Sequence, residues 1–217
     1  MAAVPPPPPS EQQLAFLHTF GHLHLPGLLA DRAGEITAAF EALMRGHGGG
    51  THTPADQRLS VAPFLNHSPA LCALLDDPRI DGLARALCGD DYQYWNSDGN
   101  YYVGDTEWHS DYNWAHADPA APPWRDRWVF YKLALYLDPL TAATGALRVI
   151  PGSHLAGDAF ADGVDRQLQG NAQPWRGLES IGEAPPGKWG GLPGAAVPAV
   201  ALETTPGDVV VFPGASL

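Results

Sequence analysis

DYQYWNSDGNYYVGDTEWH, residues 91–109, is where the character of the chain changes. Aromatic residues crowd into it and Asp98-Gly99 interrupts it, a pattern that predicts paired strands around a tight turn. Before it, the sequence carries the punctuation of helices. Ser10 and Gln13 stand at capping-box spacing, Leu14, Leu17 and His18 share one side, and Gly21 supplies a stop, so a short helix is expected over 10–20. HLHLPG then alternates His22, Leu23, His24 and Leu25, which predicts a strand with leucines buried and both histidines on the other face, at the surface. From 28 to 44, Ile36, Phe40, Leu43 and Met44 recur as the stripe of an amphipathic helix, whose simplest role is core packing. GHGGGTHTP reads as a flexible loop with His47 and His52 in solvent. Ser68 caps a turn of helix opened by Pro69 over 70–75, and a further helix over 78–87 is stopped by Gly89. The chain is therefore expected to be mostly helical up to about residue 90.

After that point the signals are those of strands. WVFYKLALYLD (128–138) alternates, with Tyr131, Leu133, Leu135 and Leu137 on one face and Phe130, Lys132, Ala134 and Tyr136 on the other. GALRVI (145–150) and GDVVVF (207–212) are two more strands. Helices first and strands afterwards, without βαβ alternation, indicate a mainly β sheet-on-sheet core with the N-terminal helices on one outer face. Between 155 and 200 the chain is rich in Gly, Pro and Ala and has little periodicity. Such a stretch is either a lid or binding loop, or plain disorder in its middle part.

The 217 residues suffice for one domain with a sizeable core. A net charge of −12 and a pI near 4.9 argue against nucleic acid or an anionic membrane surface as partner and favour a small molecule or a protein. Cys72 and Cys88 form neither a C-x-x-C pair nor a disulfide framework, which fits a reducing, cytoplasmic setting. No apolar run approaches the roughly 18 residues of a membrane helix, and the first residues do not read as a signal peptide. MAAVPPPPPS, residues 1–10, is expected to be an extended, disordered Pro-rich tail, leaving 11–217 as the domain.

The chemistry centres on His109-Ser110-Asp111. On a strand, residues i and i+2 project to one face, so His109 and Asp111 would form a two-point chelate. A third ligand from a distant strand would complete a 2-His-1-carboxylate triad, which leaves positions open on iron. The spacing alone is weak, because nine histidines among 24 acidic residues produce such pairs by chance. His116 and Asp118 are a second example, flanked by Ala and Pro and better read as loop.

Context sharpens this. Helices, an H-x-D strand, KLALYLDPLTAATGALRVIPGSH and PGDVVVF, in that order, resemble the phytanoyl-CoA dioxygenase family of iron(II)- and 2-oxoglutarate-dependent oxygenases over about 20–217. The most specific parts are His109-Ser110-Asp111, GALRVIPGSH (145–154) and PGDVVVF (206–212). FGHLHLPGLL resembles the family's N-terminal strand, and WHSD is similar to a segment of ectoine hydroxylases, a branch of that family. The resemblance implies a double-stranded β-helix, a cupin-like jelly roll, with iron at its mouth and His109 and Asp111 as the first two ligands. It also implies 2-oxoglutarate and O2 as cosubstrates, with succinate and CO2 released as a small organic molecule is hydroxylated. Related halogenases have lost the carboxylate that Asp111 retains, so hydroxylation is the expected outcome.

Further residues are candidates around this motif. Asn96 and Asn100 occupy places where relatives hold 2-oxoglutarate with amides, the other reading being turn hydrogen bonds around Asp98-Gly99. Trp114 would wall the cosubstrate pocket, or else be core. Lys132 would face Asp111 or a cosubstrate carboxylate, or else point to solvent. Arg148 and His154 read as structural. The family's third ligand, a histidine, and its carboxylate-binding arginine follow the strand that GDVVVF resembles. No histidine follows His154 here and the sequence ends FPGASL. The expectation is thus an incomplete roll, its last strands missing and its edges exposed, that holds iron weakly and is inactive or nearly so. The competing reading is a non-catalytic jelly-roll binding module using Tyr102, Trp108 and Trp114.

Overall fold

The computed structural model describes residues 8–47, 59–102, 109, 130–155, 178–183 and 196–214. The first helix, α1 (Glu11–Phe20), starts as its sequence predicts. Ser10 Oγ accepts from the Gln13 N–H at 3.2 Å while Gln13 Oε1 accepts from the Ser10 N–H at 2.9 Å. These two bonds satisfy donors that a helix start otherwise leaves open. Gly21, at φ 75°, ends the helix, and Leu17 is its one fully buried side chain.

Strand β1 (Leu23–Leu25) buries both leucines as expected, but its histidines are not at the surface. His22 is 6% exposed and its ring meets Phe16 edge-on at 5.3 Å, while half-buried His24 bonds to Asp208. The face that alternation assigned to water is covered by other parts of the fold, which a two-residue period cannot reveal.

A turn and a 3-10 segment at Ala30–Arg32 delay α2 (Ala33–Gly46), so the helix starts later than position 28. Its stripe holds, with Ile36 and Met44 buried and Phe40 and Leu43 packed against the same core. After β2 (Leu59–Val61) come α3 (Pro69–Cys72), a single turn capped by Ser68, and α4 (Pro78–Cys88), capped by Asp77 and closed by Gly89 at φ 84°. Buried Asp77 also accepts from Arg32 at 2.9 Å and from Arg79 Nε and Nη2, each at 2.8 Å, tying the start of α4 to the segment before α2.

The expected hairpin around Asp98-Gly99 is absent. Residues 92–98 have no regular structure, and β3 (Gly99–Tyr101) instead pairs antiparallel with β2, Val61 opposite Gly99 and Leu59 opposite Tyr101. Two local causes outweigh the turn signal. Ser97 Oγ accepts from the N–H groups of Phe64 (3.1 Å) and Leu65 (2.9 Å), fastening 92–98 to another turn. Gly99 is there for space: a Cβ at this position would lie 2.3 Å from the Phe64 ring.

The remaining strands are β4 (Tyr131–Leu135), β5 (Leu147–Val149), β6 (Leu178–Glu183), β7 (Ala196–Leu202) and β8 (Val209–Pro213). They form two three-stranded sheets, ordered β1-β8-β4 and β5-β7-β6, with every pairing antiparallel. β6 and β7 correct the reading of 155–200 as loop or disorder. AVPAVAL is apolar throughout, so it lacks the alternation that marks a half-buried strand, and it contains a proline. Pro198 pairs with Ser180, next to a register irregularity, one of the places where a sheet tolerates proline.

Alternation along β4 sorts the two cores as predicted. Tyr131, Leu133, Leu135 and Leu137 pack on the helical side with Leu23, Leu25, Val209, Val211 and the buried residues of α1, α2 and α4. On the other face Tyr136 joins Val210 and Phe212 against Leu147, Val149, Val200 and Leu202 of the second sheet. The arrangement is therefore sheet on sheet, with helices covering one outer face. Val209, Val210 and Val211 are all 1% exposed or less, and full burial of each contributes about 1.5–3 kcal/mol. Among the described residues no helix is long and apolar enough to cross a membrane.

Candidate functional site

The inner face of β4 organises the candidate site. Lys132 lies opposite Phe212 in the ladder, so it shares the face that carries Phe212 into the space between the sheets. It is half-buried there. Two residues earlier, the Phe130 ring lies over Gly214, where a Cβ would come within 1.9 Å of ring carbon Cζ. The Gly214 N–H donates to the Phe130 carbonyl at 3.1 Å, continuing the β4–β8 ladder past Pro213. Further along the same face Tyr136 packs against the cluster of Val149, Leu202 and Val210. Burial first, then nearby Tyr102, pushes its hydroxyl well above the usual tyrosine range.

Trp95 completes the Phe130 end. Its indole is 51% exposed and meets the Phe130 ring at a centroid distance of 5.8 Å, tilted 68°. The backbone beneath it is held by the Ser97 bonds and by the Tyr94 hydroxyl, which donates to Ser97 Oγ at 2.7 Å. Neither Trp95 nor Phe130 was singled out from sequence. The available signal was weak: a tryptophan beside Asn96, and a phenylalanine in phase with Lys132.

The other residues singled out from sequence are placed as follows. Asn96 is exposed and outside regular structure. Asn100, in β3, is half-buried and its Nδ2 donates to Asp98 Oδ2, the local bond that the turn reading anticipated, though no hairpin surrounds it. His109 is exposed and belongs to no strand. Asp111, Trp114, Trp108, His116 and Asp118 lie outside the described residues. Tyr102 is 59% exposed. Among the described residues no three or more His, Cys, Asp or Glu converge on one point. His109 nonetheless suits an iron site chemically: its imidazole is accessible, and with a carboxylate two residues on it gives the N,O donor set of a ferrous centre.

His154 has the structural role expected of it. Its Nε2 lies 3.1 Å from the His18 carbonyl and the Gly152 N–H donates to the Phe20 carbonyl at 2.8 Å, so the turn after β5 caps α1. Arg148, in β5, sits opposite Ala201, on the face away from Leu147 and Val149. Asp208 was overlooked. It is 3% exposed and accepts from the N–H groups of Gly27 (2.7 Å) and Thr205 (2.9 Å), the Thr205 hydroxyl (3.2 Å) and His24 (3.0 Å).

The fold is similar to that of solved non-haem α-ketoglutarate-dependent enzymes. The carbocyclase SnoK from nogalamycin biosynthesis superposes with a TM-score of 0.66 at 20% identity, over 95% of this chain and 75% of that one. EctD from S. alaskensis with bound Fe superposes with a TM-score of 0.65 at 22% identity, over 97% and 70%. The same protein with 2-oxoglutarate and 5-hydroxyectoine gives 0.63 at 21%, over 97% and 69%. These likenesses are of fold. Residues 17–217 match the model of phytanoyl-CoA dioxygenase (PhyH), so the chain belongs to the phytanoyl-CoA dioxygenase family. A curated relative, ectoine dioxygenase of Sphingopyxis alaskensis, is 31% identical over 108 residues, which are 48% of this chain and 34% of that protein. The matched region thus spans about a third of the relative's length.

Proposed function

We propose that this domain is that of an iron(II)- and 2-oxoglutarate-dependent dioxygenase that hydroxylates a small organic molecule in the cytoplasm. In this reading residues 11–217 form one domain, and the sheets β1-β8-β4 and β5-β7-β6 are the two halves of a double-stranded β-helix. The observation that carries it is the inward, half-buried Lys132 between those sheets, in a chain of this family. His109 and Asp111 would hold the iron. Bound iron and 2-oxoglutarate supply the activation of O2. The chain's own part is to bind and orient: Lys132 meets a carboxylate of 2-oxoglutarate with a charge-assisted bond, Asn96 and Asn100 offer amides, and Trp114 excludes water.

The test is an anaerobic Fe(II) titration read by bound-iron analysis, on wild type and on His109→Ala, Asp111→Ala and His116→Ala. With only His109 and Asp111 assigned as protein ligands, wild-type affinity is expected to be modest. The first two substitutions should abolish it and His116→Ala should leave it intact. Iron bound equally by all four proteins would sink the assignment.

The exposed Tyr102 ring favours a second reading, a jelly-roll module that holds a small molecule without turnover. Release of succinate from 2-oxoglutarate, dependent on O2 and on His109, would remove that reading.

A further inference from the structure

Trp95 is a large apolar side chain that the fold leaves half in water yet holds firmly. Ser97 fixes the segment from both sides, taking bonds from Phe64, Leu65 and Tyr94. Phe130 meets the indole edge-on, and its own ring is seated on Gly214, where no other residue leaves room for it. A ring restrained in this way loses little further freedom when something stacks on it, which is how a binding surface differs from a core residue that failed to bury.

The charge around it narrows what can stack there. Lys132 lies on the same face of β4 two residues beyond Phe130, roughly 7 Å along the strand, and an ammonium at that distance disfavours a cation over the rings. The chain as a whole carries −12, so its long-range field gives an anionic substrate no help beyond the local charge of Lys132, which the oxygenase reading assigns to 2-oxoglutarate. Between these exclusions stands an uncharged ring, whose flat face gains offset or edge-to-face contact with indole and phenyl.

We propose that Trp95 and Phe130 form the specificity surface of the site and that the substrate is a neutral, ring-bearing organic molecule stacked on Trp95. This rests on the oxygenase reading in taking the space between the sheets as the reaction chamber. Trp95 and Phe130 bind and position the substrate and take no part in its chemistry.

The test compares three ligands of one shape, 2-naphthol, 2-naphthoate and a 2-naphthyl trimethylammonium salt, by isothermal titration against the full chain. The neutral compound should bind tightest. Trp95→Ala should weaken it about tenfold or more and Trp95→Phe by only a few fold. Gly214→Ala, which displaces the Phe130 ring, should fall between, with circular dichroism confirming that each variant is folded. Tightest binding by either charged compound, or 2-naphthol binding indifferent to Trp95→Ala, would overturn the proposal. Bound iron is measured separately on the Trp95 variants and should be unchanged, so the ring surface and the iron assignment stand or fall separately.

Discussion

Asp208 Oδ2 lies 3.0 Å from His24 Nε2, joining residues 184 positions apart in the chain. Burial alone would raise the Asp208 carboxyl, but bonds from the Thr205 and Gly27 backbone, His24 and the Thr205 hydroxyl together hold it below the usual carboxylate range. A carboxyl lowered in the folded state stabilises the fold above its unfolded value of about 3.9, and that contribution is lost as pH falls through the lower folded value. Asp208→Asn puts an amide donor among groups that already donate. It should cost about 2–3 kcal/mol in urea unfolding at neutral pH, with the gap to wild type narrowing below a pH of about 4.

His22 and His154 act in the opposite part of the pH range. Burial holds both imidazoles below their ordinary value, and each lowers further beside other histidines. The folded state therefore keeps them neutral while the unfolded chain takes up protons. Stability should be flat above a pH of about 7, fall as pH drops through the unfolded value near 6.5, and level off below the folded values. The double variant His22→Gln/His154→Gln should show a much shallower slope between those limits, whatever its stability at neutral pH. An unchanged slope in urea midpoints would contradict the assignment.

Gly99→Ala tests the contact with Phe64. The added methyl would meet the ring at 2.3 Å, and overpacking of this kind costs about 1–3 kcal/mol. Phe64→Leu in the same chain should recover part of the loss, giving a coupling of at least about 0.5 kcal/mol in a double-mutant cycle.

Lys132→Met should weaken 2-oxoglutarate binding by roughly ten- to a hundredfold, the worth of one charge-assisted hydrogen bond, in anaerobic titrations of the iron-loaded protein. Lys132→Arg should retain most of the affinity, and neither change should alter the iron content. Equal affinity in wild type and Lys132→Met would remove Lys132 from the cosubstrate's partners.

Much of the architecture is legible wherever one residue type has one physical job. Ser10, Ser68, Gly21 and Gly89 punctuate helices at the positions the structure shows, and the alternation from Tyr131 to Leu137 assigns both faces of β4. Legibility fails where the partner is distant. The surface reading of His22 and His24 ignores a covering layer supplied by Phe16 and Asp208. The hairpin at Asp98-Gly99 loses to β2, whose existence nothing in residues 91–109 encodes. β7 has no alternation because both its faces are apolar, and its proline speaks against a strand. At the site, local phase puts Lys132 on the face of β4 away from the leucines, while the cover over that face comes from the second sheet. Trp95 acquires meaning only once Phe130, 35 positions away (130 − 95 = 35), is brought against it.

The order of the first sheet has a consequence for synthesis. β8 is central, yet it lies between β1, near the start of the chain, and β4, near its middle. On a ribosome, Leu23 and Leu25 and the apolar face of β4 leave the exit tunnel long before Val209–Val211 exist to cover them. Pairings this far apart in sequence close slowly, and until they do the emerging strands are open to other chains. Expression of this protein should therefore depend strongly on chaperone supply and on temperature, more so than the stability of the finished fold would suggest.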